Sequence, residues 1–329
     1  MLIKTFNRSN PSLFLLLPFI GLIFWIDAFV LYNQTEVIVT NAPPLYAWIA
    51  PFLKSNPLFN VIFGFIFLVI QSFLLNYVVT RHDLLDRSSS LAGLLYMVLM
   101  SSSFDLLQLH PVLFSNFFLI LALDKVFSAY GEEEVFLEVF NVGLLIGIAT
   151  LFYYPVISLM LVLLYALFIY YVFSLRGFMA ALLGFFVPGF FLGLYYFLTD
   201  CLQEMIVSIF TEIKLFEVFY NPVQTYGLIF LGFIFFLVVI TLIPSLGWVQ
   251  EKAIRLRKRY YVVVFFFVVA VLSIIFSNQY YRSHLALIIL PVSIIVANRF
   301  SLYKKRWWPE TIFILLVFII FLGKIIRLD

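Results

Sequence analysis

The sequence predicts an all-α integral membrane protein, and three observations carry that reading. Charged residues are 11% of the chain while aromatic residues are 20%, with 42 phenylalanines among 329 residues. Mean hydropathy is +1.11. The stretch from Phe140 to Phe191 contains Arg176 as its only charge. A bilayer core of ~30 Å takes ~20 apolar residues per helical crossing, so this stretch holds more than two crossings. A water-soluble domain carries about a quarter charged residues, far more than this chain does.

The central stretch divides at Tyr153–Tyr154–Pro155 and at Leu175–Arg176–Gly177. Interfacial aromatics suit the first turn, and an arginine beside a glycine suits a cytoplasmic corner. Gly143/Gly147 and Gly189/Gly193 both have the spacing that lets a second helix approach closely, inside the bundle or from a partner. Pro155 and Pro188 are expected at bent helix ends, because proline lacks the N–H donor. The single cysteine, Cys201, excludes an intramolecular disulfide and any paired-cysteine metal or redox motif.

Taken in order, the chain opens with a short basic segment. The first helix is expected over 12–31. Its apolar run exceeds a signal-peptide core and lacks a small-residue cleavage site, so it is expected to stay in the membrane. Residues 32–56 form a first outer-face segment. There Leu45, Trp48, Ile49, Phe52 and Leu53 share one helical face after Pro43–Pro44, the pattern of a helix lying on the membrane. Further spans are expected over 57–79, 90–104, 111–129, 140–153, 156–175 and 178–198. The third of all these spans is short and ends in SSSFDLLQLH, which leaves a re-entrant path open. Residues 199–226 form a second amphipathic outer segment. Spans follow over 227–246, 260–276, 284–297 and 310–323, with the basic loop QEKAIRLRKR between the first two.

This threading gives about eleven crossings in a single polytopic domain over 1–329, with no soluble domain on either side. Of the 20 basic residues, fifteen fall on the N-terminal side and five on the other. The positive-inside rule therefore places the N-terminus in the cytoplasm and the C-terminus in the periplasm of a bacterial inner membrane.

LLYMVLMSSS, LHPVLFSNFFLILAL, FNVGLLIGIATLFYYP and LRGFMAALLGFFVPGFF, with NRSNPSLFLLL near the start, resemble a domain-of-unknown-function family of polytopic inner-membrane proteins from flavobacteria and their relatives. The resemblance covers most of the chain and implies a multi-pass cell-envelope protein. More remotely, the layout of helix 1, Asp27, Glu36 and the amphipathic 45–53 helix resembles membrane glycosyltransferases that use polyprenyl-phosphate sugars. The paired-carboxylate motif of that class is missing here. That resemblance implies a lipid-linked substrate at the outer face.

Candidate catalytic residues are Asp27, Asp105 and His110, and candidate substrate-binding residues are Arg282 and His284. A carboxylate at membrane depth, as in FWIDAFV, is costly and marks a functional candidate, although Asp27 can also reach interfacial water. Asp105 and His110 could share acid–base work, or belong to a solvated loop. Arg282, beside His284 in NQYYRSH, can clamp a lipid phosphate or anchor its helix to headgroups. Asn60, Gln71, Asn76, Asn116 and Asn141 are expected to hydrogen-bond between helices. Asp124 and Lys125 are expected to snorkel or to pair with a neighbour.

The three histidines fall on opposite faces, His82 against His110 and His284, which excludes a convergent non-haem iron site. No metal site is expected, and the cofactor is left open. No P-loop and no soluble basic domain point to nucleotides or nucleic acid. Two functions stay open. One is a glycosyltransferase-like enzyme acting on a lipid-linked substrate. The other is a non-enzymatic membrane subunit of an envelope secretion or motility complex, bound to another membrane protein.

Overall fold

The computed structural model describes residues 3, 6, 15–34, 37, 42–85, 89–131, 135–203, 206–207, 225–276, 283–303 and 307–328. They form twelve α-helices, and no strand occurs among the described residues. The helices are α1 Leu17–Val30, α2 Pro44–Ser55, α3 Pro57–Arg81, α4 Leu91–Met100, α5 Pro111–Ser128, α6 Phe136–Phe152, α7 Met160–Ile169, α8 Leu175–Leu198, α9 Thr225–Gln250, α10 Ile254–Leu272, α11 Leu285–Leu302 and α12 Trp307–Leu328. Seven of them are long and apolar enough to cross a membrane, namely α3, α5 and α8–α12. Four shorter apolar helices, α1, α4, α6 and α7, complete the bundle. The chain is a multi-pass membrane protein.

Side-chain bonds show how the helices run. Asn60 on α3 meets Gln108 and Leu109 just before α5, and Arg81 and His82 at the end of α3 meet Asp124 near the end of α5. So α3 and α5 are parallel. The intervening α4 runs back against α3 and α1: the Gly93 N–H meets Asn76, Tyr96 meets Gln71, and Ser101 meets Trp25. On α6, Glu138 pairs with Lys125 and the Ala149 carbonyl meets Ser115, so it opposes α5. Helix α8 lies beside α6 in the same direction. Helices α1 and α12 are also parallel, joined by Phe24–Phe321 stacking and the Asp27–Lys324 ion pair. The bundle therefore has two chemically distinct ends. One carries Asp27, His110 and His284. The other carries Arg81, Asp124 and Arg259.

The core follows from helices that are apolar all round. All ten residues of α4 are buried, and so is 83% of the apolar window of α11. By contrast, only 22% of the α8 window is buried, so α8 lies on the outside. Helix α2 buries Tyr46, Ala50 and Leu53 while Trp48 and Phe52 stay exposed, as an amphipathic helix at a bundle's rim should. Trp48 packs edge-on against Tyr195 of α8 with ring centroids 5.2 Å apart.

Several expectations change. The helix expected over 90–104 ends at Met100: the Ser101 hydroxyl bonds back to the Met97 carbonyl, and Ser103 already has extended backbone. Its ten residues reach only roughly 15 Å, half a bilayer core. The second half of the basic loop is helical, since α10 begins at Ile254. Pro188 lies inside α8 rather than at its end. The turn at Tyr153 is present, followed by a 3-10 segment over Tyr154–Leu159 that leads into α7. Most of the second amphipathic segment, 199–226, lies outside the described residues, as does Arg282.

Candidate functional site

The polar run after α4 is the densest polar non-helical stretch at the Asp27 end among the described residues. Serine, glutamine and aspartate compete for backbone hydrogen bonds, so SSSFDLLQLH cannot continue an apolar helix. It forms a 3-10 turn at Phe104–Leu106 and then an extended His110, the residue before Pro111. Asn60 holds this stretch in place. Its amide donates to Gln108 Oε1 at 3.0 Å, and its oxygen accepts from the Leu109 N–H at 2.9 Å. The Tyr46 hydroxyl of α2 donates to the Leu109 carbonyl at 3.1 Å. Both backbone groups of Leu109 are thus satisfied by side chains from other helices. This satisfaction is what allows irregular backbone inside an apolar bundle. Gly64 makes the approach possible, since a Cβ there would stand 2.9 Å from the Gln108 and Leu109 backbone.

His110 caps α5. Its Nδ1 accepts from the Leu113 N–H at 3.2 Å, which puts the ring proton of the neutral form on Nε2. That Nε2 is buried and has no hydrogen-bond partner among the described residues. Asp105 sits half-buried on the 3-10 turn five residues earlier.

The remaining described candidates have partners elsewhere. Asp27 forms an ion pair with Lys324 at 3.0 Å, and the Lys324 ammonium also donates to the Phe24 carbonyl. His284 is fully buried at the start of α11. The Ala270 carbonyl, 2.9 Å from Nε2, can only accept, so Nε2 carries the proton. Nδ1 then accepts from the Tyr153 hydroxyl at 2.7 Å. No hydrogen bond or ion pair joins Asp27, His110 and His284 to one another among the described residues.

Between the two ends lies a buried amide layer. Gln71 donates to the Leu113 carbonyl at 2.9 Å and accepts from Tyr96 at 2.7 Å, while Asn116 donates to the Ala286 carbonyl at 2.8 Å. This is the interhelical role expected of Asn60, Gln71 and Asn116.

The opposite end holds a charged cluster. Asp124 accepts from Arg81 at 2.8 Å and meets His82 Nε2 at 2.8 Å, and Lys125 pairs with Glu138 at 3.1 Å. Arg259 is buried, at 2% exposure. It donates to the Phe127 carbonyl through Nε and Nη2, at 3.2 and 2.8 Å, and to the His82 carbonyl at 3.1 Å. Sequence reasoning gave Arg259 a place in the basic loop 250–259, which sets topology or touches anionic lipid headgroups. Its burial had a signal, because Arg259 precedes the buried Val262, Val263 and Phe266 by three, four and seven residues. No group of three or more His, Cys, Asp or Glu side chains that could hold a metal occurs among the described residues. An apolar gap lined by Leu119, Leu123, Val142, Val162 and Phe266, among others, lies among α5, α6, α7 and α10.

No curated protein and no solved structure matches this chain. A family model does match, over residues 58–328, a span that takes in α3 and every later helix. The chain belongs to DUF6427, a family of unknown function.

Proposed function

We propose that this chain is a non-enzymatic membrane subunit that holds a partner's transmembrane helix against the outer face of α8. The supporting observation is the different fate of two glycine pairs. Gly143 and Gly147 on α6 are sealed by the α8 backbone at Ala181 and Phe185. Gly189 and Gly193 on α8 have no described atom within 4 Å of where a Cβ would stand. A flat glycine face on a lipid-exposed helix is the shape that a second helix packs on. The structural commitments of Asp27 and His284 favour this reading over catalysis. The threading that goes with it has eleven crossings, with the Arg259 end in the cytoplasm of an inner membrane. That orientation rests on the positive-inside rule.

A second reading, a lipid-linked glycosyltransferase-like enzyme, draws support from the unpartnered Nε2 of His110. In it Asp105 and His110 supply acid–base chemistry, Asp27 assists, and Arg282 with His284 holds the phosphate of a polyprenyl-phosphate lipid.

Native mass spectrometry on protein extracted gently from its host membrane separates the two. The subunit reading expects a stoichiometric protein partner that is lost in the Gly189→Leu/Gly193→Leu variant. A partner-free chain carrying a polyprenyl-phosphate mass would overturn it in favour of the enzyme.

A further inference from the structure

At the Arg259 end, the sequence IRLRKR starts α10 with cations rather than with the acids that a helix N-terminus favours. Ala253 offers no side-chain cap, and no acidic residue lies in the first turn. The positive end of the helix dipole and the cations therefore repel each other, a cost that a nearby anion would remove. Arg255, Arg257 and Lys258 form no ion pair with a carboxylate among the described residues. Lys258 is instead held over aromatic faces, 4.1 Å from the Tyr171 centroid and 5.3 Å from that of Tyr130. Lys252 lies 4.6 Å from the Trp248 ring.

The level of this patch is marked by aromatic residues. Trp307 and Trp308, stacked at 4.5 Å, open α12 at the same end and are half exposed. Tryptophan and tyrosine collect at the headgroup level of a bilayer. Within the patch, Ile254, next to Arg255 in the first turn of α10, exposes its apolar side chain at 57%. The cations and the apolar surface together fit an amphiphilic anion. A free anion would have no use for the exposed Ile254.

We propose that the start of α10 is a binding site for an anionic phospholipid, with Arg255, Arg257 and Lys258 on its phosphate and an acyl chain along Ile254. The site is independent of the α8 face and of the His110 loop. Basic residues at a membrane surface each contribute about 1 kcal/mol toward anionic lipid, or about fivefold in affinity.

The test is lipid binding to the delipidated full chain in detergent, read by native mass spectrometry. The probes are palmitoyl-oleoyl phosphatidylglycerol and palmitoyl-oleoyl phosphatidylcholine, which share their acyl chains. The wild-type chain should retain the anionic phosphatidylglycerol preferentially. Arg257→Gln should cut that preference about fivefold. Arg255→Gln/Arg257→Gln/Lys258→Gln should abolish it, and Arg255→Lys/Arg257→Lys should keep it. The exposed Arg255→Gln variant, expected to fold normally, serves if the triple variant does not. Equal retention of both lipids by the wild-type chain would overturn the proposal, as would a preference unchanged by these substitutions. Displacement of the lipid by excess inorganic phosphate would overturn it too, because it would make the site one for free anions.

Discussion

Arg259 is a cation that joins three helices through carbonyl oxygens. Phe127 near the end of α5 and His82 just after α3 both present their carbonyl oxygens to it. Losing the guanidinium would leave these buried acceptors without their donor, at about 1–3 kcal/mol. Arg259→Met should therefore lower the apparent melting temperature in detergent by several degrees, and Arg259→Lys should recover only part of the loss. A lysine cannot reproduce the planar fork that reaches two carbonyls at once. Equal melting of Arg259→Met and wild type would show that the clasp contributes nothing. At the other end, Lys324 is buried while the Asp27 side chain is 35% exposed. Asp27→Asn would leave an unpaired buried ammonium. Breaking such a pair costs several kcal/mol when fully buried, and about 1–3 kcal/mol is expected for this half-exposed one. The double variant Asp27→Asn/Lys324→Met should melt closer to wild type than Asp27→Asn does, because no lone charge remains. A double variant no more stable than Asp27→Asn would argue that the pair has a role beyond neutralising Lys324.

Among the elements, α6 and α8 show how small residues set helix distance. A Cβ on Gly184 would overlap the Phe140 carbonyl, and one on Gly143 would overlap the Ala181 carbonyl. The backbones are therefore in direct contact, which no larger side chain permits. Gly184→Leu should push α8 away from α6 and lower thermal stability by about 2 kcal/mol or more, as overpacking does. Gly189→Leu, facing open space, should change it by less than about 0.5 kcal/mol. Melting curves of the two variants side by side check this, and similar losses at both positions would contradict the packing. The sequence displayed both glycine pairs equally. Which pair is inside depends on the rotation of α8, and rotation is a property of packing. Helix α4 teaches a related lesson. Its apolar letters announce a helix, but its length is limited by Ser101–Ser103, and its complete burial comes from α1, α3 and α11 closing around it.

For the molecule as a whole, alternating helix directions place the ends of α3, α5 and α7 with the start of α10, at the cationic end. Cys201, just past α8, lies toward the opposite end, where Tyr195 and Tyr196 of α8 meet Trp48. With the Arg259 end in the cytoplasm, a membrane-impermeant maleimide should label Cys201 from outside intact cells. In a Cys201→Ser background, Ala253→Cys should label only after permeabilisation. The reverse pattern would invert the proposed orientation.

Sequence by itself determined the class of this protein: apolar runs of bilayer length, aromatic turns, and cations concentrated in alternate connections. The apolar runs follow from the need of a backbone in hydrocarbon to satisfy its own hydrogen bonds within helices, and the aromatic and cationic residues follow from the chemistry of the membrane–water interface. It also marked Asn60, Gln71 and Asn116 as interhelical, because an amide in an apolar helix has few other partners. Only the tertiary structure decided that Asp27 meets Lys324 almost three hundred residues later, that Arg259 is buried, and that His284 is held by Tyr153 and the Ala270 carbonyl. These pairings join residues distant in sequence. Their partners are chosen by how helices pack, and local chemistry alone does not encode that choice.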